Sequence, residues 1–298
     1  MQNIDPAFLI FEFMVYVLFI LCFINAWKRG IGYLAELIGG LVFGVLLEYI
    51  NANFIADYSF GRFFLMISNI PVCIGAGWAV IIYSSMALSD RTGMPVFARP
   101  FADAFLALNI DLSMDMIAIR IGGGMWVWGW DQSVRWTSEW FGVPYGNFFG
   151  WFFVVLLYSY MIRIGRDLLT HHKLNKAWKI ILPFFSVLFS QIILIILVLI
   201  FYYFWPYGFP VALLLIIPCT ALILIVSIKG KLNIQDKPDG FVIRAVPLVF
   251  HTFFLASIFV FRITAWNPWI VIVSIIMFLS GIAFQLRIRK HKFGFRNN

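Results

Sequence analysis

Residues 106–120 read "LALNIDLSMDMIAIR" and place two aspartates in a stretch that otherwise resembles a membrane-spanning helix. Asp111 and Asp115 are four residues apart, so their side chains share one face of the predicted helix. Inserting one aspartate at the centre of a membrane helix costs about 2.5–3.5 kcal/mol. The stretch therefore predicts a helix surrounded by other helices, with a partner or a use for its carboxyl groups.

The composition around this stretch is that of a polytopic membrane protein. Of the 298 residues, 62% are hydrophobic and only 12% are charged, which is too apolar for a soluble domain. We therefore predict an all-α fold, a single integral membrane domain over residues 1–298 with about nine transmembrane helices. The predicted spans are residues 8–26, 31–50, 64–88, 101–121, 145–162, 180–204, 210–228, 245–263 and 268–286.

The net charge of +8 is distributed as a membrane topology signal. Alternate connections between the spans, together with the C-terminal tail, carry 18 of the 22 lysines and arginines. By the positive-inside rule, the N-terminus lies outside and the C-terminus in the cytoplasm. We expect membrane lipids as surroundings, no nucleic-acid partner, and a location in the cell membrane of a prokaryote.

The two halves of the chain differ in character. Residues 30–160 hold the intramembrane carboxyl groups and most of the tryptophans, whereas residues 180–298 are mainly an apolar helical scaffold. The connection at 122–144 is rich in tryptophan and is expected to lie along the membrane surface. No internal repeat is evident, which argues against an inverted-repeat transporter. The first part is therefore where we expect a site.

The aspartate pair has two interpretations. Low dielectric and mutual repulsion favour a state in which at least one of the two carboxyl groups keeps its proton. A protonated carboxyl group in an apolar pocket can act as a general acid. Alternatively, Asp111 and Asp115 bond to a neighbouring helix, or line a wet crevice, without any chemistry.

The second span carries a regular stripe, in which Glu36, Gly40, Gly44 and Glu48 recur every four residues. The two glycines predict either a close helix contact or a smooth groove in which a rigid apolar ligand lies flat. Glu48 lies at a depth similar to that of Asp115. Glu36 is nearer the cytoplasmic end.

The stretch 139–152, "EWFGVPYGNFFGWF", leads into the fifth span. Asn147 either caps this helix or points its amide into a functional site. Trp151 follows one turn later. In the third span, Trp78 is expected to pack in the core or to form the wall of a ligand site.

The sequence does not contain the residues that several classes of enzyme require. The four histidines are too scattered for a di-iron membrane oxygenase, and no strand precedes the glycines near residue 31, as a dinucleotide-binding motif requires. Neither a P-loop nor a Gly-x-Ser-x-Gly motif occurs. We therefore expect neither a histidine-bound di-iron site nor these cofactor-binding motifs.

The order of these motifs resembles the CruF-like carotenoid biosynthesis family of membrane carotenoid hydratases. The most specific element is the Gly-Val-Pro…Asn-Phe…Gly-Trp run within 139–152. Matching in the same order are Glu36 with Phe43-Gly44, the Asn-Ile-Pro-Val run with Trp78, the two aspartates, and Trp126-Val127-Trp128. The resemblance covers about residues 30–160. One departure is Met116, where family members commonly have proline.

The resemblance implies hydration of a terminal isoprenoid double bond of an acyclic carotenoid, giving a tertiary alcohol without a cofactor. Asp115 or Asp111 would be the acid, and the other aspartate, Glu48 or Asn147 would position water. Aromatic faces would stabilise the intermediate cation. The substrate, a carotenoid or another polyprenyl lipid, would contact Glu36, Gly40, Gly44, Trp78, Trp126, Trp128 and Trp151.

Two other functions remain open. "NIDLSMD" loosely resembles the aspartate-rich motifs of magnesium-dependent intramembrane prenyltransferases, although a second motif and a facing basic cluster are missing. A non-enzymatic lipid carrier or a proton-coupled transporter would also place carboxylates in its spans.

Overall fold

The chain folds into a helical bundle. A computed structural model describes residues 4–55, 58–129, 139–172, 175–204, 208–228 and 240–290. Within these ranges there are nine α-helices, each overlapping one predicted span. They are α1 Pro6–Arg29, α2 Ile31–Ile50, α3 Val72–Ser89, α4 Arg99–Ala118, α5 Tyr145–His171, α6 Trp178–Phe204, α7 Gly208–Ile228, α8 Gly240–Val260 and α9 Trp269–Lys290.

Six of these helices, α1, α2, α3, α5, α6 and α8, are long and apolar enough to cross a membrane. The apolar segments of α7 and α9 are shorter. Large apolar side chains cover the outer faces of the bundle, such as Phe13 on α1 and Leu214 on α7, which are 71% and 73% exposed. Because so much exposed apolar surface would be unfavourable in water, the bundle is that of a membrane protein.

Short antiparallel strand pairs lie between the helices. Strand β1 Tyr58–Phe60 pairs with β4 Trp126–Trp128, β2 Met66–Ile67 with β3 Ile70–Pro71, and β5 Glu139–Trp140 with β6 Val143–Pro144. Within the connection 122–144, the described residues therefore form turns and strands. The position of this connection along the membrane surface stays a prediction, and residues 130–138 lie outside the described part.

Two predicted span boundaries were also wrong. The third helix begins at Val72 rather than at residue 64, because the preceding residues form the β2–β3 hairpin and Pro71, at φ −67° and ψ 129°, starts the helix. The fifth helix continues to His171, past the predicted end at residue 162. Arg163 and Arg166 therefore belong to α5.

Helix α4 lies in the interior of the bundle, in contact with α3, α5, α7, α8 and α9. It carries Asp103, Asp111 and Asp115, which are at most 2% exposed. Its polar groups are therefore in contact with neighbouring helices and not with lipid.

The glycine stripe of α2 packs directly against α3. A Cβ on Gly44 would lie 2.7 Å from Trp78 Cβ and 3.0 Å from Gly75 Cα, and one on Gly40 would lie 3.3 Å from Ala79 Cα. The absence of side chains lets the two backbones approach closely. Helix α3 fills the space that the groove hypothesis assigned to a ligand, so the assignment of Gly40 and Gly44 to substrate binding was wrong.

An ion-pair network joins helices at the opposite end of α4. Arg163 contacts Asp103 Oδ2 at 2.7 Å and Asp90 Oδ1 at 3.0 Å. Arg166 contacts Asp90 Oδ2 at 2.8 Å and Glu36 Oε2 at 2.5 Å. Asp90 follows α3 directly, and its two oxygens bridge the two arginines of α5.

The charge of Asp90 depends on these arginines. Burial alone would raise the pKa of this carboxyl group, but the positive charges of Arg166 and Arg163 outweigh that effect and hold the pKa below its ordinary value of 3.8. The stabilisation is therefore fully present above about pH 3.8 and is lost as the pH falls through the lowered pKa of the folded state.

We expect Asp90→Asn to destabilise the bundle, because it leaves Arg163 and Arg166 without one of their counter-charges. Removing one partner of a buried ion pair costs about 3–5 kcal/mol, and the partial exposure of Asp90 brings the expected loss toward about 1–3 kcal/mol. The measurement is thermal unfolding of the purified protein in detergent, followed by circular dichroism.

Asp167→Asn is the matched control, since Asp167 is also a helical aspartate but pairs with His171 at the surface, where both side chains are 71% exposed. It should change the midpoint little. Equal midpoints for the two variants would show that the network does not stabilise the fold.

Candidate functional site

Asn147 connects the two buried aspartates of α4. Its Nδ2 donates to Asp111 Oδ2 at 3.1 Å and to Asp115 Oδ2 at 2.7 Å. Asn147 is the third residue of α5, whose N-cap position is occupied by Pro144. The capping interpretation of Asn147 was therefore wrong, and its amide points into a carboxyl cluster.

The position of Asn147 follows from the local sequence. The β5–β6 hairpin turns through Gly142, whose φ of +88° favours a residue without a side chain. Pro144 then fixes an extended backbone at φ −61° and ψ 139°, and the helix starts at the next residue. This rigid start holds the first turn of α5 against the last two turns of α4.

The two carboxyl groups are buried, and because both Oδ2 atoms accept from the same Asn147 nitrogen, these two oxygens lie close together. Asp111 Oδ1 has no donor among the described residues. Two carboxyl oxygens form a hydrogen bond only when one carries a proton, because ionised carboxylates are acceptors alone. The geometry therefore suits a pair that holds a proton between its members.

A tryptophan from the strand region lies beside Asp115. This residue, Trp126, is 6% exposed. It lies on β4, which is held in place by backbone pairing of Phe60 with Trp126 in the β1–β4 ladder. The strand thus covers the end of the carboxyl cluster with an aromatic ring.

Glu48 forms a second, adjoining group with two tryptophans. Trp78 Nε1 donates to Glu48 Oε1 at 2.7 Å, and the Trp78 and Trp151 rings lie 3.9 Å apart at 30°. Glu48 is near enough to Asp115 for their charges to interact. The structure therefore brings together Glu48, Trp78, Asp111, Asp115, Trp126, Asn147 and Trp151.

Four predicted site residues have surroundings that differ from those of this group. Gly40 packs against α3, and the other three are Glu36, Gly44 and Trp128. Glu36 bonds to Arg166 in the ion-pair network and not to the carboxyl cluster, and its contact with a substrate stays a prediction. Gly44 contacts Trp78 and contributes only by letting that ring approach α2. Trp128 is half-buried at the far end of β4, where its backbone pairs with that of Tyr58.

Open space lies beside Asn147. A Cβ on Gly150 would meet no atom within 4 Å, in contrast to those on Gly39, Gly40, Gly44 and Gly75 of α2 and α3. Gly150 is one helical turn from Asn147, so the two residues lie on neighbouring parts of the α5 surface. Asn147 is itself half-buried, which gives this face access to the carboxyl pair.

Two polar groups were not predicted from the sequence. Asp103, with its partners Arg163 and Ser159, was hidden because the fifth span was ended too early. His251 of α8 lies between Ser113 and Asn109 of α4, at 3.1 Å from each. The signal for Asp103 was its position eight residues before Asp111, on the same helix and near the same face.

Comparison of the chain with models of protein families, with curated proteins and with solved structures finds no match.

We expect Asn147→Ala to destabilise the protein by about 1–3 kcal/mol, because it removes the amide that both buried carboxyl groups accept from. Thermal unfolding in detergent measures the effect. Asn53→Ala is the matched control, since the Asn53 amide bonds to Tyr49 O and Asn69 at an exposed position. The control should stay within about 0.5 kcal/mol of the parent. If both variants unfold alike, Asn147 does not hold the pair together.

Proposed function

We propose that this protein is an integral membrane carotenoid hydratase that adds water to a terminal isoprenoid double bond. The observation that carries the proposal is the buried Asp111–Asp115 pair bridged by the Asn147 amide. The order of motifs that resembles the CruF-like family includes both aspartates and Asn147. The product would be a tertiary alcohol, and the reaction needs neither a metal nor a cofactor.

Acid catalysis starts with proton transfer to the alkene. The carboxyl O–H of Asp115 or Asp111 gives its proton to the less substituted carbon, and the two π electrons form the new C–H bond. The more substituted carbon becomes a tertiary cation, and the pair is left with one more negative charge. A proton held in a dry, preorganised site is suited to this transfer.

Water then attacks the cation. Its oxygen forms the C–O bond, and the proton that it releases returns to the carboxylate, so the acid is regenerated and the atoms balance. Asn147, the second aspartate or Glu48 would orient this water. Each has oxygen atoms that could accept a hydrogen bond from it.

The aromatic rings of the site would stabilise the cation. Trp126 lies beside Asp115, and Trp151 packs against Trp78, the donor to Glu48, with ring centres 3.9 Å apart. An indole face attracts a cation by about 0.5–2 kcal/mol. The same rings exclude bulk water, which limits side reactions of the cation.

A lateral path suits the substrate better than a groove on α2. The open space at Gly150 lies in the first turns of α5, one helical turn from Asn147. A long, rigid polyene dissolved in the bilayer could bring one end to the carboxyl pair there. Its remaining length, comparable to a bilayer of about 30 Å, would stay along the outside of the bundle.

The proposed topology has nine spans, with the N-terminus outside and the C-terminus in the cytoplasm of a prokaryotic cell membrane. The distribution of lysine and arginine supports it, with 18 of 22 on the cytoplasmic side. The described residues contain nine helices, and six of them are long and apolar enough to cross a membrane.

The test is pigment analysis in labelled water. The chain is expressed in a host that accumulates an acyclic carotene, the cells are grown in ¹⁸O-water, and the extracted pigments are weighed by mass spectrometry. A pigment heavier by one labelled water supports the hydratase. An unchanged pigment overturns it, and a magnesium-dependent prenyl transfer or lipid transport without change of mass would then identify one of the other functions.

We expect Asp115→Asn and Asp111→Asn each to lower the yield of hydrated pigment by about 100- to 10,000-fold, because each removes a carboxyl group that can hold the transferred proton. Membrane levels of the variants are measured in parallel by immunoblot. Asp167→Asn, an exposed aspartate of α5, is the control and should retain full activity. Full activity in both site variants would place the acid elsewhere.

We expect Gly150→Leu to abolish hydration while the protein still folds. The leucine side chain enters open space and does not clash with a neighbouring helix, so unfolding should be unchanged, but it blocks the face beside Asn147. Gly150→Ala, with only one added carbon, should keep most of the activity. Normal hydration by the leucine variant would show that the substrate arrives by another path.

A further inference from the structure

A basic cleft lies far from the carboxyl pair. It has a volume of about 340 Å³ and is formed by the start of α2, the end of α5 and the start of α6. Along α5, Asn147 and Arg166 are 19 residues apart, which corresponds to about 28 Å of helix. The cleft is therefore separate from the proposed active site, and a ligand bound in it would take no part in the proposed reaction.

Three cationic side chains line the cleft, namely Arg29, Arg166 and Lys179, against one carboxylate, Glu36. Glu36 is already bound by Arg166 through two contacts of 2.8 and 2.5 Å. Among the described residues, neither Arg29 nor Lys179 forms an ion pair. The cleft thus has two positive charges without an acidic partner in the described part of the chain.

Arg29 is held in a fixed position. Its Nη1 donates to Tyr83 Oη at 3.1 Å, and its guanidinium lies 3.9 Å from the centre of the Tyr33 ring. A guanidinium has five N–H donors, and this contact with Tyr83 uses only one of its nitrogens. A preorganised guanidinium with free donors is the group that proteins most often use to bind phosphate.

The backbone adds donors to the same cleft. Gly30 and Ile31 line it, and α2 begins there without a side-chain cap. The first amide groups of a helix have no partner within it, and they favour an anion. Lys179 lies beside this helix start, since a Cβ on Gly32 would be 3.7 Å from Lys179 Cβ.

We propose that this cleft binds a phosphate group, carried either by the headgroup of an anionic lipid or by a soluble phosphate. Next to the lining cations in the sequence are Trp27, two residues before Arg29 and 64% exposed, and Trp178, one residue before Lys179 and 38% exposed. Exposed tryptophans are usual at the level of lipid headgroups. Basic pockets between membrane helices are suited to anionic headgroups. The cleft lies at the end of the bundle that holds the ion-pair network.

The experiment uses the full chain in neutral detergent with three probes. Dioleoyl phosphatidic acid and dioleoylglycerol, which differ by the phosphate, are titrated in native mass spectrometry, and inorganic phosphate is titrated in thermal unfolding. Retention of phosphatidic acid but not of dioleoylglycerol supports a lipid headgroup. A rise of the unfolding midpoint with inorganic phosphate supports a soluble source.

Lys179→Gln is the decisive variant, because Lys179 is exposed and its loss should not disturb folding. Binding of the probe should weaken by about five- to ten-fold. Lys176→Gln, three residues earlier, exposed and outside the lining of the cleft, should bind as the parent does. Arg29→Gln should weaken binding further, with unfolding measured alongside because Arg29 also contacts Tyr83.

The proposal is overturned if neither phosphate probe binds in preference to dioleoylglycerol, or if the Lys179 and Lys176 variants weaken binding equally. Hydration of carotene is not required for either readout. A failure of this proposal can therefore be distinguished from a failure of the proposed hydratase.

Discussion

The burial of three aspartates on one helix is the constraint on which the rest of the structure depends. Every carboxyl group on α4 must find a donor from another helix, because neither lipid nor an apolar core can satisfy it. Asp103 finds Arg163 and Ser159, whereas Asp111 and Asp115 find Asn147. All three donors lie on α5, so the long packing of α4 against α5 follows from this requirement.

The two ends of this helix pair satisfy their carboxyl groups in different ways. At one end, Asp103 faces a full positive charge, and the network continues through Asp90 to Glu36. At the other end, the donor to both Asp111 and Asp115 is the neutral amide group of Asn147. A cation stabilises an ionised carboxylate, whereas a neutral donor is compatible with two carboxyl groups that share one proton. The first end is therefore suited to holding helices together and the second to acid chemistry.

The contact of α2 with α3 supports the same site indirectly. Gly44 and Gly75 let the two backbones approach until Trp78 lies against α2, and this approach brings the Trp78 indole to Glu48. A larger residue at Gly44 would push Trp78 away from both Glu48 and Trp151. In the sequence, this glycine pattern resembles a surface for a ligand. In the structure it is a helix contact, and it affects the site only by positioning Trp78.

The sequence by itself determined the helical membrane fold and most of the polar residues that meet in the cluster. Hydropathy and the cost of burying Asp111 and Asp115 depend only on local composition, and these are readable along the chain. The Asp111–Asp115 face followed from the helical repeat alone.

Only the tertiary structure decided which residues become partners. Asn147 could have been a helix cap, the α2 stripe could have been a groove, and Glu36 could have joined Glu48 in one site. These choices depend on which helix lies opposite each face, and they are set by contacts between residues far apart in the chain, such as Arg166 with Glu36, for which the local pattern carries no signal.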